Sequence, residues 1–153
     1  MHLPQTVQYA LRALQYIASR APELVQSGEL TASVGARANY LSKTLHQLVR
    51  GGILVSSRGP AGGFTLAVPA ATVTLERVVS VFAAPDAGLC LFGGAMCGGD
   101  DPCALHARWR VVAQPMDAFF RTTTIADLLA DARPSTGSWQ RQSMNSSTRG
   151  VAQ

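Results

Sequence analysis

Apolar positions in the first fifty residues fall into three blocks at helical spacing. Val7, Ala10, Leu11, Leu14, Ile17 and Ala18 predict a first helix from about residue 4 to 20, ended by Pro22. A shorter block opens at Ser27 or Gly28, turns Leu30 and Val34 inward and stops at Gly35. The third runs from about Ala38 to Arg50, with Tyr40, Leu41, Leu45, Leu48 and Val49 on one face and Gly51-Gly52 as its C-terminal stop. Two short helices joined by a tight, glycine-containing turn predict a helix-turn-helix. The period then changes to that of strands. Ile53-Leu54-Val55-Ser56-Ser57 and Phe64-Thr65-Leu66-Ala67 flank a Gly/Pro-rich turn at residues 58–63, which predicts a hairpin. A helix-turn-helix followed directly by a two-stranded wing is a winged helix, so the expected fold is mainly α with a small β-hairpin.

Further along, Thr74 is placed to cap a helix carrying Leu75, Val78, Val79 and Phe82, with Glu76 in its first turn. Leu105, Trp109, Val112, Ala113, Met116, Phe119 and Phe120 form a long apolar stripe. A helix so long and apolar in so short a chain is expected to pack against its twin in a homodimer, although an ordinary core helix would show the same stripe. Thr124 and Asp127 have the spacing of a capping box for a last short helix with Ile125, Leu128 and Leu129. From Arg133 the sequence becomes rich in Ser, Thr, Gln and Gly with no acidic residue, the composition of a disordered tail. The expected division is therefore a DNA-binding unit at 1–82, a cysteine-rich loop at 83–102, a dimerisation helix and short helix at 103–132, and a tail at 133–153.

At 153 residues the chain has the length of one domain, and at 47% hydrophobic and 14% charged it can build a core. No apolar run reaches the ~18 residues that cross a bilayer, and the first residues lack a basic-then-apolar export signal. A reducing cytoplasm and no membrane partner are expected.

Charge sharpens the picture. The net +4 lies wholly in the first half, where Arg12, Arg20, Arg37, Lys43, Arg50 and Arg58 face only Glu23 and Glu29. Arg37, Lys43, Arg50 and Arg58 fall on the predicted recognition helix and wing, the pattern of a phosphate-contacting surface, or of a plain solvated face. Arg37, Asn39, Tyr40 and Ser42 lie near the entering end of that helix, where side chains reach base edges in the major groove. Arg58 and Gly59 stand on the wing tip, suited to a minor groove.

All three cysteines cluster in Cys90-x6-Cys97-x5-Cys103-x2-His106, among Gly88, Gly93, Gly94, Gly98 and Gly99. Such a flexible backbone lets thiolates converge, and three sulfur ligands with an imidazole suit zinc or an iron–sulfur cluster. The plain alternative is three unrelated thiols in a loop; a disulfide with one free thiol is less expected, because nothing in the chain suggests export. Three positions separate Cys103 from His106 at the start of the long helix, which would turn both to one side. No Ser/His/Asp arrangement or phosphate-binding glycine loop is present, so catalysis is not expected.

Residues 39–43 (Asn-Tyr-Leu-Ser-Lys) and the run Leu48-Val-Arg-Gly-Gly-Ile-Leu-Val-Ser-Ser-Arg58-Gly-Pro-Ala-Gly-Gly-Phe-Thr-Leu-Ala67 resemble the bacterial winged-helix regulators that include IscR, NsrR and RirA. The similarity extends from Met1 to about Asp131, and its most specific motif is R-G-P-x-G-G-[FY]-x-L. The resemblance implies a homodimeric regulator, expected to be a repressor, whose affinity for a double-stranded DNA operator is controlled by an iron–sulfur cluster sensing iron, nitric oxide or redox state. IscR-like members carry a histidine after the last cysteine, whereas NsrR-like members take an acidic ligand from the partner's N-terminal region. Here no carboxylate side chain precedes Glu23 and the matching position is Gln8. The resemblance therefore implies Cys90, Cys97, Cys103 and His106 as ligands of a [2Fe–2S] centre in preference to [4Fe–4S]. The first gap is six residues where those relatives commonly have five, an insertion the glycines can absorb. The alternative is a winged-helix regulator with a zinc or thiol-based redox switch and no iron–sulfur cluster.

Overall fold

The computed structural model describes residues 3–82 and 104–131. Cys90, Cys97, Cys103, the rest of the expected cysteine loop and the expected tail at 133–153 lie outside the described residues.

Three helices open the chain: α1 (Gln5–Ser19), α2 (Ser27–Val34) and α3 (Ala38–Arg50). Their apolar stripes meet. Ala10, Ala13, Leu14 and Ile17 of α1 share one core with Leu30 and Val34 of α2 and with Leu41, Leu45 and Leu48 of α3. Fully burying each such leucine or isoleucine stabilises the fold by about 1.5–3 kcal/mol relative to leaving it in water. The turn between α2 and α3 depends on Gly35, whose φ of 69° is left-handed and whose N–H donates to the Thr31 carbonyl at 3.1 Å.

On α3 the inward face differs from the expected one at two positions. Thr44 is buried, its hydroxyl donating to the Tyr40 carbonyl at 3.1 Å, while Tyr40 stays 39% exposed. A threonine can take a core position in a helix when the carbonyl one turn back satisfies its hydroxyl.

The wing is the antiparallel pair β1 (Leu54–Ser57) and β2 (Gly63–Leu66), with Leu54 opposite Leu66 and Ser57 opposite Gly63. A third stretch of chain joins it. Val25, just before α2, exchanges two backbone bonds with Phe64, each 2.9 Å, so the wing is pinned to the entrance of the helix-turn-helix. That close approach explains Gly63, where a Cβ would lie 2.5 Å from the Val25 carbonyl oxygen.

A 3₁₀ turn (Ala70–Thr72) leads to α4 (Leu75–Ser80), and beyond the cysteine segment come α5 (His106–Thr122) and α6 (Ile125–Ala130). Both expected caps form. Arg77 N donates to Thr74 Oγ1 at 3.2 Å, and Thr124 and Asp127 bond reciprocally as a capping box. Leu75 N donates to the Thr123 carbonyl and Ile125 N to the Val73 carbonyl, both at 2.9 Å, which stitches the α5–α6 junction to the start of α4. Ile125 is thereby buried in the same core as α1, and Gln15 Nε2 donates to the Leu128 carbonyl at 3.2 Å. α5 touches the core near its C-terminal end, where half-buried Phe120 packs against it. Of its stripe only Ala113 is buried, with Val112 61% and Phe119 54% exposed.

Candidate nucleic-acid interface and metal-ligand residues

The second helix of the helix-turn-helix presents one polar face. Arg37 occupies the N-cap position of α3, Asn39, Lys43 and Arg50 are exposed along it, and Ser42 is half-buried. His46 and Gln47 are exposed on the same helix, with the His46 ring edge-on to Phe64 of β2 at 6.4 Å. The recognition helix and wing are thus in contact through a side chain on each.

Tyr40 has a double placement. Its hydroxyl is hydrogen-bonded with Thr6 Oγ1, and its ring meets Tyr9 edge-on at a centroid distance of 5.6 Å. Both partners are on α1, so Tyr40 fixes the entering end of α3 to the scaffold. Helical spacing counts Tyr40 with the apolar face, but it is exposed, and the partners that hold it lie more than thirty positions earlier and leave no local signal.

At the wing tip Arg58 and Gly59 are both exposed, and Gly59 is left-handed with φ 108°. Gly62 N donates to the Gly59 carbonyl at 2.9 Å, closing the turn. Gln26 Nε2 reaches the Pro60 carbonyl at 3.4 Å from the start of α2. Arg58 is therefore carried on a tip braced from two sides. Gln26 was not a candidate on sequence grounds, since nothing near it marks a contact with residue 60.

The basic residues divide into two groups. Arg20 pairs with Glu29 at 3.5 Å, lies over the Tyr16 ring and donates to its hydroxyl, which in turn donates to Glu29 at 2.6 Å. The bond to Glu29, with some burial, raises the Tyr16 pKa above its usual 10.0. Both charges of that pair are well exposed, so the pair adds little stability. Its effect is to spend the Arg20 charge locally. Arg37, Lys43, Arg50 and Arg58 belong to no ion pair among the described residues, where the pairs are Arg20–Glu29 and Arg121–Asp117. Unspent positive charge thus lies on α3 and the wing tip.

Of the four expected metal ligands, His106 is described. It is half-buried and is the first residue of α5, with residues 104–105 in a turn before it. His106 stands at the start of the helix as the spacing predicts, while Cys103, expected beside it, lies outside the described residues. Among the described residues no three His, Cys, Asp or Glu side chains gather as a metal site. At the start of α1, Gln8 Nε2 donates to the Leu3 carbonyl at 2.8 Å.

A helix-turn-helix with a braced wing and positive charge on both is the architecture of a winged-helix DNA-binding protein. The family model described as "Rrf2: Iron-dependent Transcriptional regulator" matches residues 3–131, and the chain belongs to that family. It is a transcription regulator and not an enzyme. A protein of Aquifex aeolicus (strain VF5), provisionally named an HTH-type transcriptional regulator, is 33% identical over 132 residues, 84% of this chain and 92% of that one. The HTH-type transcriptional regulator IscR of Klebsiella pneumoniae (strain 342) is 29% identical over 131 residues, 84% of this chain and 80% of that one. The structure of CymR, the global cysteine regulator of B. subtilis, superposes with a TM-score of 0.74 over 87% of this chain and 99% of its own, at 17% identity, a likeness of fold. Among the described residues no helix is long and apolar enough to cross a membrane.

Proposed function

We infer that the chain is a homodimeric repressor of the cytoplasm whose affinity for a double-stranded DNA operator is set by an iron–sulfur cluster. The observation that carries this is the set of Cys90, Cys97 and Cys103, which follow α4 in sequence, with His106 opening α5, the helix that packs on α4. Three thiolates and one imidazole fit a [2Fe–2S] centre, favoured over [4Fe–4S], and the relation to IscR supports it. The start of α1 supports it too, since it carries an amide at Gln8 and no carboxylate. When bound, such a cluster supplies iron-dependent, oxidisable ligation.

The protein's own residues do the rest. Arg37, Asn39, Ser42 and Lys43 address the major groove, Asn39 and Ser42 reading base edges. Arg50 adds a phosphate contact, while Tyr40 holds the entering end of α3 in register. Arg58, with Gly59 beside it, enters the minor groove. Two copies joined along α5 place two such surfaces on paired half-sites.

Anaerobic purification with iron, sulfide and zinc analysis tests the reading, followed by operator binding with and without the cluster. A coloured protein containing iron and acid-labile sulfide, whose DNA affinity changes on cluster loss, is expected. A colourless protein holding zinc, or one responding only to thiol oxidation, would replace the cluster with a zinc or thiol switch.

A further inference from the structure

The joint between recognition helix and wing is gripped from one side by α4. Gly52 has left-handed backbone, φ 66°, and its carbonyl accepts a hydrogen bond from Arg77 Nη2 at 3.1 Å. One residue earlier the chain runs so close to α4 that a Cβ on Gly51 would lie 2.7 Å from Val81 Cγ2. Arg77 and Val81 are four residues apart and so lie on one face of the helix and its C-cap. Together they touch both peptides of the turn that links α3 to β1.

The same short helix leads into the metal-ligand segment in sequence and is packed by α5, the helix that follows that segment. The chain leaves α4 through Val81 and Phe82 into the stretch that carries Cys90, Cys97 and Cys103. It returns in α5, which opens with His106, packs against α4 and is bonded to its start through Leu75 N and the Thr123 carbonyl. The core beneath α4 is supplied by Leu75 and Val78, not by Arg77. Gly52 is exposed, so its carbonyl can turn to water if the arginine is removed.

We propose that Arg77, seated with Val81 on the Gly51–Gly52 turn, is the positioning residue through which the cysteine segment sets the angle between recognition helix and wing. The proposal rests on the cluster-controlled regulator described above. Packed contacts switch between discrete arrangements and do not stretch continuously, so a shift of α4 carries the turn with it. Two glycines at that turn give the backbone freedom to re-aim α3 against the wing.

The test uses the full-length protein, cluster-loaded and metal-free, on duplexes selected from a random-sequence pool in both states. The quantity read is the ratio of the two affinities. Arg77→Ala should keep the parent's visible spectrum, iron and sulfide content and circular dichroism, because it is no ligand. Its affinity ratio should fall from the parent's, expected in the roughly 5–150-fold range of allosteric couplings, to within about twofold of unity. Gly51→Ala, whose new Cβ meets Val81, should lower the ratio as well, and Val81→Ala in the same chain should restore it. An unchanged ratio in Arg77→Ala, or a loss of DNA binding equal in both states, overturns the proposal, as does the absence of rescue in the Gly51/Val81 pair. A parent that binds DNA equally in both states is a different failure, that of cluster control itself.

Discussion

At the scale of single residues, what the wing does turns on Arg58. Its neighbours hold the tip in one shape, through the Gly62–Gly59 backbone bond and the reach of Gln26 to Pro60, so the DNA contact proposed for Arg58 would cost little ordering. Arg58→Ala is expected to weaken operator binding by about 1–3 kcal/mol at fixed salt, the range for a good groove contact. Titration of a mapped operator at matched ionic strength measures it, and parental affinity would take Arg58 out of the interface. The place of Arg58 on the wing tip is legible in the sequence because its turn chemistry is local. Tyr40 could be read only in part: helical spacing gives its position, but Thr6 and Tyr9 hold it across a distance that no local pattern records. Thr44 was hidden by its polar type, since its burial depends on a hydroxyl bond to the carbonyl of residue 40.

Among elements, boundaries set by caps were the most legible. Thr74 and the Thr124/Asp127 pair are short-range chemistry, and both form as the spacing implies. Val25 was not legible, because pairing one residue with Phe64 needs the whole helix-turn-helix to fold first. The last capping box gives a pH test. Thr124 donates to Asp127 through both its hydroxyl and its backbone N–H, which holds the Asp127 carboxyl below its ordinary 3.8. A carboxyl depressed in the folded state stabilises the fold above its unfolded pKa and loses that contribution as pH falls through the folded one. Stability should therefore decline below about pH 3.8 in part through this group. Thr124→Ala should cost about 1 kcal/mol at neutral pH through the lost cap. The same substitution should flatten the acid dependence of the denaturant midpoint, and an acid limb identical to the parent's would show that the cap does not set it.

For the whole molecule, the proposed dimer turns on what covers α5, which also bears on which chain supplies each proposed ligand. Val111, Val112 and Phe119 are more than half exposed in the single chain, an apolar face that a second α5 would bury. Val112→Glu with Phe119→Glu is expected to give a monomer by light scattering, and a dimer of parental strength would place the interface elsewhere. If all four ligands come from one chain, that monomer should still take up iron and sulfide. His106 decides this point. Its position at the head of α5 puts an imidazole beside the last cysteine in sequence, and the chain has no acidic side chain near its start that a partner could lend. His106→Cys should keep a cluster with an altered potential and slower loss, because thiolate replaces a weaker donor. His106→Ala should leave a labile cluster or none, followed by the decay of visible absorption under a fixed chelator concentration. Each of Cys90→Ala, Cys97→Ala and Cys103→Ala should abolish stable binding. An unchanged spectrum and lifetime in His106→Ala would remove the imidazole from the ligand set. The fourth position would then belong to the partner subunit or to an exchangeable ligand of a [4Fe–4S] cluster, and the monomeric variant would separate those two by losing the cluster only in the first case.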